Sequence, residues 1–480
     1  MSSSVRSERA VAEGIEGPRS VGRAGVAAGG LSAFIFAGLV AIVPLSAAPY
    51  GSVEPLWTAL FEASVFLLAA LAALEWALSG RGFSRAHVLV LPGLALAVYA
   101  LFQSLELGGG GAVSYDPYET RLIALLLFAY TAYLALLLRY TDTERRLRAL
   151  LYAVIAAGLA SALFGIVRQT AQRGGGEGFL LEYLRPGAGY AQFINKNHFA
   201  YLAEMALGVL LGLVAGHGVA RAKALVPLAL ALPLWAALVL SGSRGGILAL
   251  LCQVIFLGAT FGVTRAVSRT NPSKGFGTAP SALDRVAGSK AARAGLVLAL
   301  LLTLAVGMVW LGGDAVADRV ASVGEEVTSH AADATRSGRK EIWAATWRTF
   351  TAHPLLGVGF GGYWVAVSKR HEGSGGLVPQ QAHNDYLEVL ASGGVVGAAL
   401  VAAFLLLLVR QAAPRLRAGS PFARAACLGA LTGLCGVAVH SLVEFGLHVP
   451  SNAFAALALA AAATAAAPRQ RPAATDRQGD

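Results

Sequence analysis

Residues 224–263 read ALVPLALALPLWAALVLSGSRGGILALLCQVIFLGATFGV. Two apolar runs flank the short polar stretch 241–244, and each run approaches or reaches the ~17–25 residues that a helix needs to cross a bilayer. Because the hydrocarbon core offers no water to the backbone, a lipid-exposed segment must satisfy its hydrogen bonds internally, as a helix does. This stretch therefore predicts a helical hairpin in a membrane.

The same composition extends along the chain. Hydrophobic residues make up 56% of the 480 residues and charged residues only 14%, whereas a soluble domain has about 25% charged residues. The sequence therefore predicts an all-α polytopic membrane protein. We expect about twelve transmembrane helices, at residues 27–47, 56–78, 86–105, 121–138, 149–167, 198–216, 224–240, 245–263, 294–312, 394–409, 425–443 and 451–468.

The basic residues predict the orientation of these helices. If the N-terminus is cytoplasmic, 25 of the 38 Lys and Arg residues fall in cytoplasmic segments, which is the bias expected of membrane proteins. The net charge of +11 then comes mainly from basic residues that face anionic lipid, and it does not indicate binding to nucleic acid. The predicted organisation is a basic cytoplasmic tail (1–26), nine transmembrane helices (27–313), a periplasmic loop with short amphipathic helices (314–393), three more transmembrane helices (394–468) and a cytoplasmic tail (469–480).

Polar residues that can carry chemistry gather on the predicted external face. Arg244 follows the turn of the hairpin, and the long loop contains Arg336, Arg339 and His383. Arginine binds phosphate oxygens with two parallel donors, and a neutral imidazole is the commonest general base for an alcohol. The alternatives are a snorkelling Arg244, solvated arginines in the loop and a hydrogen-bonded His383.

Other motifs argue against nucleotide and metal chemistry. The glycine-rich stretch 357–362 satisfies G-x-G-x-x-G, but no strand precedes it, and we interpret it as a flexible turn. No P-loop, no D-x-D pair and no zinc-like cluster occurs in the sequence. The three cysteines lie in predicted transmembrane helices and are expected to be apolar packing residues. We therefore expect neither a metal nor a cofactor.

Five blocks of sequence resemble the bacterial O-antigen ligase and O-antigen polymerase superfamily, both in their order along the chain and in their predicted position on the external side of the membrane. The resemblance extends from about residue 115 to 455. The blocks are Asn195-Lys196-Asn197-His198-Phe199-Ala200, Ser241-Gly242-Ser243-Arg244-Gly245-Gly246, Gly338-Arg339-Lys340-Glu341-Ile342-Trp343, His353-Pro354-Leu355-Leu356-Gly357-Val358-Gly359 and His383-Asn384-Asp385-Tyr386-Leu387-Glu388.

The resemblance implies a GT-C-type glycosyltransferase of the bacterial inner membrane, with its active site at the periplasmic face and both termini in the cytoplasm. Its donor would be a glycan on undecaprenyl diphosphate, and the transfer would be inverting and metal-independent. Arg244 and Arg339 would bind the diphosphate, and His383 would be catalytic. The candidate supporting residues are Asn197, Asp385, Glu388 and Arg336, with Arg168 and Arg185 as further candidates for the anion site.

The acceptor stays open at this point. A ligase of lipopolysaccharide biosynthesis would pass the glycan to lipid A–core, and an O-antigen or exopolysaccharide polymerase would pass it to another lipid-linked repeat. A transporter for lipid-linked oligosaccharides is the alternative from another class. It would place ionisable groups near the middle of the bilayer, and Glu204, deep in the sixth predicted helix, is the residue that such a reading can claim.

Overall fold

The computed structural model describes residues 23–80, 88–106, 111–172, 178–184, 188–220, 223–270, 339–370 and 379–465. Several sequence predictions fall outside these residues. They are the ninth transmembrane helix at 294–312, Arg185, Arg336, and most of the two tails.

The described part of the chain is helical, with isolated bridges and no extended strand. The order of the described helices begins with α1 Arg23–Ala47, α2 Pro55–Ser79, α3 Val90–Gln103, α4 Pro117–Tyr140, α5 Glu144–Ala171, α6 Lys196–Ala215, α7 Leu225–Ser241 and α8 Arg244–Thr270. It continues with α9 Arg339–Ala352, α10 Tyr363–Ser368, α11 Asp385–Ala412, α12 Pro421–His440 and α13 Pro450–Thr464. Three 3₁₀ turns cover Tyr50–Ser52, Ala413–Leu416 and Gly446–His448.

Seven of the described helices are long and apolar enough to cross a membrane, namely α1, α2, α4, α5, α6, α11 and α12. Four shorter apolar helices, α3, α7, the apolar part of α8 and α13, match further predicted spans. The multi-pass helical architecture is therefore confirmed, while the count of twelve stays a prediction. The alanine-rich α13 is almost wholly buried among the other helices, so its small side chains serve close packing rather than contact with lipid.

Helices α6 and α12 form the centre of the bundle through four glycines. A Cβ atom on Gly208 would overlap the backbone of Gly433, and one on Gly212 would overlap Gly429. The helices are antiparallel, because the contact moves four residues forward on one helix and four residues back on the other. Continued along α6 towards its N-terminus, this register places Asn197 opposite the residues that follow α12.

Helix α11 is broken close to its start. Gly394 has φ +61° and ψ −164°, a backbone conformation that is essentially restricted to glycine. The carbonyl groups freed by the break are satisfied by neighbours, because Gln103 Nε2 donates to Ser392 O at 2.9 Å and Tyr99 Oη donates to Gly393 O at 3.0 Å. Helix α11 continues through this break, so it begins at Asp385, nine residues before the predicted apolar run that starts at residue 394. The candidate site lies at this N-terminal extension.

The glycine-rich stretch 357–362 is a turn, as predicted, but it is packed rather than flexible. Val358 is fully buried, and its backbone N–H donates to Ala391 O at 3.0 Å. Gly359, with φ +89°, donates to Ser392 O at 3.0 Å. The glycines are needed because the turn fits against the broken part of α11 and against Ser114.

Candidate functional site

His383 lies immediately before the start of α11. Its backbone has φ +49°, a left-handed conformation that is uncommon for a residue other than glycine. Neighbouring contacts hold this conformation. Trp343 Nε1 donates to Ala382 O at 3.0 Å, and Asp385 N donates to Ser441 O at 3.0 Å. Asn384 caps the helix by accepting from Leu387 N at 3.0 Å. The imidazole is consequently fixed at the end of the bundle, with its side chain 32% exposed.

Glu444, in the loop after α12, joins three of the residues singled out from the sequence. Its side chain is 2% exposed and accepts hydrogen bonds from Asn197 Nδ2 at 2.6 Å and from Arg339 Nη2. Its other oxygen lies 3.2 Å from His383 Nδ1. The structure thus brings residues from α6, α9 and the start of α11 onto one buried carboxylate.

The electrostatics of this cluster fix the state of Glu444. Burial acts to raise the pKa of its carboxyl group, but the hydrogen bond from His383 and the positive charge of Arg339 outweigh burial and hold the pKa below its ordinary value of 4.5. Glu444 is therefore ionised at neutral pH and can only accept hydrogen bonds. His383 Nδ1 must then carry a proton, which leaves Nε2 of the neutral imidazole as a proton acceptor.

Arg244 begins α8 at the same end of the bundle. The next residue, Gly245, lies so close to His440 that a Cβ atom would overlap the imidazole, and that atom would also lie 3.2 Å from Cγ2 of Val443. A Cβ atom on Gly246 would lie 2.8 Å from Cβ of Ala200. At both positions, side chains of neighbouring helices therefore occupy the space that a Cβ atom would need. The packing holds the exposed Arg244 beside the loop that carries Glu444.

Asp385 and Glu388, the two acidic residues next to His383 in the chain, make their described hydrogen bonds with groups other than its imidazole. Glu388 Oε2 accepts from Ala382 N at 2.7 Å, which fixes the backbone next to His383. Asp385 Oδ2 accepts from Ser441 Oγ at 2.6 Å. Among the residues that the structure describes, the carboxylate that hydrogen-bonds His383 is Glu444 instead.

Arg168 does not contribute to an anion site. Its side chain is 3% exposed, and Nη1 donates to the carbonyl groups of Ala188 and Ala191, both at 3.2 Å. The expectation that it adds to the diphosphate site is wrong, because the guanidinium instead satisfies the backbone of the loop that leads into α6.

Phe445, next to Glu444, packs between three imidazoles. Its ring centroid lies 4.8 Å from that of His383, 4.9 Å from that of His198 and 6.0 Å from that of His448, each nearly edge-on. The nine residues 441–449 between α12 and α13 therefore supply much of the site. Sequence reasoning missed Glu444 and His448. The signal was one acidic residue in a short, otherwise uncharged loop between apolar runs, a costly placement near a membrane.

The family model described as O-antigen ligase matches residues 228–402 of this chain, a range that contains Arg244, Arg339 and His383. This match confirms the resemblance to the O-antigen ligase and polymerase superfamily, whose members are glycosyltransferase-like enzymes. The search of curated proteins found no match to the chain.

Proposed function

We propose that this chain, with its O-antigen ligase domain, transfers a glycan from undecaprenyl diphosphate to an acceptor hydroxyl at the periplasmic face of the inner membrane. The observation that carries the proposal is the cluster around Glu444. A partly exposed histidine, oriented by a buried carboxylate, lies beside exposed arginines at one end of a membrane bundle. The histidine can deprotonate an alcohol, and the arginines can bind an anionic leaving group next to it.

The arginines suit the diphosphate. Arg339 is 50% exposed although one of its nitrogen atoms pairs with Glu444, and a guanidinium has five N–H donors. Donors therefore remain for phosphate oxygens after the pair with Glu444 is made. Arg244, exposed at the start of α8, supplies a second guanidinium from another helix. Neutralising the diphosphate as it departs stabilises charge where it develops in the transition state.

The chemistry follows from the tautomer of His383. Nε2 takes the proton of the acceptor hydroxyl as the oxygen attacks the anomeric carbon. The bond between that carbon and the phosphate oxygen breaks, and the leaving undecaprenyl diphosphate keeps the electron pair. Glu444 stabilises the imidazolium that forms. Attack from the face opposite the leaving group inverts the anomeric centre in one displacement.

The acceptor is either lipid A–core, which would make the chain a ligase, or a second lipid-linked repeat, which would make it a polymerase. Both reactions use the same donor and the same base, so the cluster serves either one. One observation favours the transport alternative, since Glu204 is fully buried and lies 3.1 Å from Nδ1 of His440, which is also fully buried. Transport is nevertheless the less well supported function, because Arg244, Arg339 and His383 lie at one end of the described bundle rather than near its middle.

The test is transfer from a purified undecaprenyl-diphosphate glycan in detergent, with lipid A–core and a second lipid-linked repeat offered separately. We expect wild-type protein to use one acceptor, and His383→Ala and Arg244→Ala to lose transfer. His217→Ala is the matched control, because His217 is an exposed histidine after α6, at the opposite end of that helix from Asn197. Undiminished transfer by both site variants, or no transfer by wild type to either acceptor, would contradict the proposal.

A further inference from the structure

A second histidine with carboxylate partners lies beside the first. His448 Nε2 lies 3.4 Å from Glu388 Oε1 and 3.6 Å from Asp385 Oδ1. Both carboxylate side chains are largely buried, whereas the imidazole is 37% exposed. The side-chain oxygen of Gln381 would face only acceptor atoms, so we assign the amide in the opposite orientation, in which its nitrogen donates to Glu388 Oε1 at 2.6 Å and to His448 Nδ1 at 3.3 Å. We call these four residues the His448 cluster.

The contacts of His448 with the two acidic side chains decide which of its nitrogen atoms can meet a ligand. Nε2 faces carboxylate oxygens and therefore carries a proton, which leaves Nδ1 of the neutral imidazole as an acceptor. The contact from Gln381 to Nδ1 is long, at 3.3 Å, so a better donor can replace it. The partly exposed edge of the cluster thus offers one imidazole acceptor next to one carboxamide. This is a pair of groups that suits a hydroxyl.

The charged groups beside His383 differ from those beside His448, and this difference indicates which part of the substrates each histidine can bind. His383 shares Glu444 with the guanidinium of Arg339. Within the described residues, the ion-pair partner of Asp385 and Glu388 is His448 rather than an arginine or lysine. Among the described residues, the cluster therefore holds no guanidinium or ammonium group that would attract a diphosphate. The His448 cluster is therefore matched to an uncharged, hydroxyl-bearing group.

We propose that the His448 cluster is a saccharide subsite, in which His448 and Gln381 hydrogen-bond a hydroxyl of the acceptor sugar. This inference rests on the proposed function and assigns the acceptor to one side of Phe445. The two imidazoles border the same phenyl ring, with centroid distances of 4.8 Å for His383 and 6.0 Å for His448. One short acceptor saccharide can then reach His383 with its reacting hydroxyl and His448 with another.

The experiment separates acceptor binding from chemistry. Initial rates are measured with purified protein in detergent, varying the acceptor at saturating donor and then the donor at saturating acceptor. His448→Ala should raise the acceptor KM about ten-fold, the effect of one lost hydrogen bond, with the donor KM and kcat nearly unchanged. His448→Asn, whose amide oxygen lies near the position of Nδ1, should restore part of the loss. His217→Ala should resemble wild type.

Substrate variants make the assignment specific. A set of acceptors is used in which each lacks one non-reacting hydroxyl. One of these deoxy acceptors should lack the hydroxyl that meets His448. Wild type should bind that acceptor as weakly as His448→Ala binds the parent acceptor. That deoxy acceptor should lose nothing further in the variant. An unchanged acceptor KM in His448→Ala, or a rise in the donor KM instead, would overturn the subsite.

The two proposals fail in different ways. Binding of the acceptor alone, without donor, reports on the His448 cluster whether or not transfer occurs. If His383→Ala keeps full transfer, the proposed catalytic role is wrong, yet weaker acceptor binding by His448→Ala would still support the subsite. If acceptor binding is equal in wild type and His448→Ala, the subsite is wrong, whatever the result for His383.

Discussion

At the scale of single residues, the most informative contact is the one between Glu444 and three partners from different helices. Burying a carboxylate is costly unless it is hydrogen-bonded or paired, and here Asn197, Arg339 and His383 all contribute. The same contacts orient the imidazole and leave Arg339 half exposed. One side chain therefore sets the geometry of both the base and the anion site.

The first prediction concerns Glu444→Gln. The amide keeps the shape of the side chain but removes the negative charge that stabilises the imidazolium of His383. We expect kcat to fall about 10²–10³-fold, the scale of general-base and electrostatic contributions, with a smaller change in the donor KM. Steady-state transfer assays check this. Glu106→Gln, at an exposed glutamate before α4, is the control. Equal loss in both variants would argue against a specific role for Glu444.

The second prediction concerns the pH dependence of stability. The folded-state pKa of Glu444 lies below 4.5, so its ion pair with Arg339 is fully present above the unfolded-state pKa and is lost as the pH falls through the lower folded value. Wild type should therefore exceed Glu444→Gln in Tm by roughly 3 °C at pH 6–8, about 1 kcal/mol for a pair with one half-exposed partner. The difference should shrink below about pH 4.5. A difference that grows on acidification contradicts the sign.

At the scale of elements, the antiparallel contact between α6 and α12 positions the site. The glycine pairs allow the two backbones to touch, and the register that they impose carries Asn197 to Glu444. Hydropathy predicts that both helices exist, because the bilayer forces any long apolar run to be helical. It does not predict which helices touch or in what register, since many small residues in the chain are equally able to pack.

The third prediction follows from that contact. Gly212→Ala places a methyl group against the backbone of Gly429, and overpacking of this kind costs about 1–3 kcal/mol. We expect a lower Tm and reduced transfer, because a shift of α6 against α12 moves Asn197 relative to Glu444. Gly258→Ala is the matched control, since a Cβ atom on this helical glycine meets nothing within 4 Å. It should be neutral or slightly stabilising. Equal effects of the two changes would count against the register.

The start of α11 shows where sequence patterns are insufficient. The motif at 383–388 predicts a helix start, and the structure places that start at Asp385. The partner of His383 is 61 residues away in the chain, in a loop without a recognisable motif. Nearby Asp385 and Glu388 are the obvious partners by spacing, but they are occupied by Ser441, Ala382 and His448. Only the tertiary packing distinguishes the carboxylates.

At the scale of the whole molecule, apolar helices carry the polar cluster around Glu444 at one end of the described bundle. The lipid environment explains why the helices and the class of protein follow from composition. The match to the O-antigen ligase family covers residues 228–402, so Asn197 and Glu444 both lie outside it. The site combines residues inside the matched region with residues before and after it, so the complete cluster can be recognised only in the folded structure.

The fourth prediction concerns orientation. The distribution of basic residues predicts that the loop with Glu444 is external and that the segment after α6 is cytoplasmic. In a variant without native cysteines, a membrane-impermeant maleimide should label Leu447→Cys on intact spheroplasts. His217→Cys should be labelled only after permeabilisation. Both positions are exposed in the structure. The reverse labelling pattern would place the cluster on the cytoplasmic side and exclude a periplasmic reaction.

The proposed role of His383, held by Glu444, as the base in glycosyl transfer can be tested by single-turnover kinetics with preloaded donor. Formation of free undecaprenyl diphosphate is followed after acceptor is added to wild type and to His383→Ala, with donor binding measured in parallel. We expect that His383→Ala binds the donor normally but releases the diphosphate at least about 10²-fold more slowly. Release at the wild-type rate, or loss of donor binding with an unchanged chemical step, would contradict it.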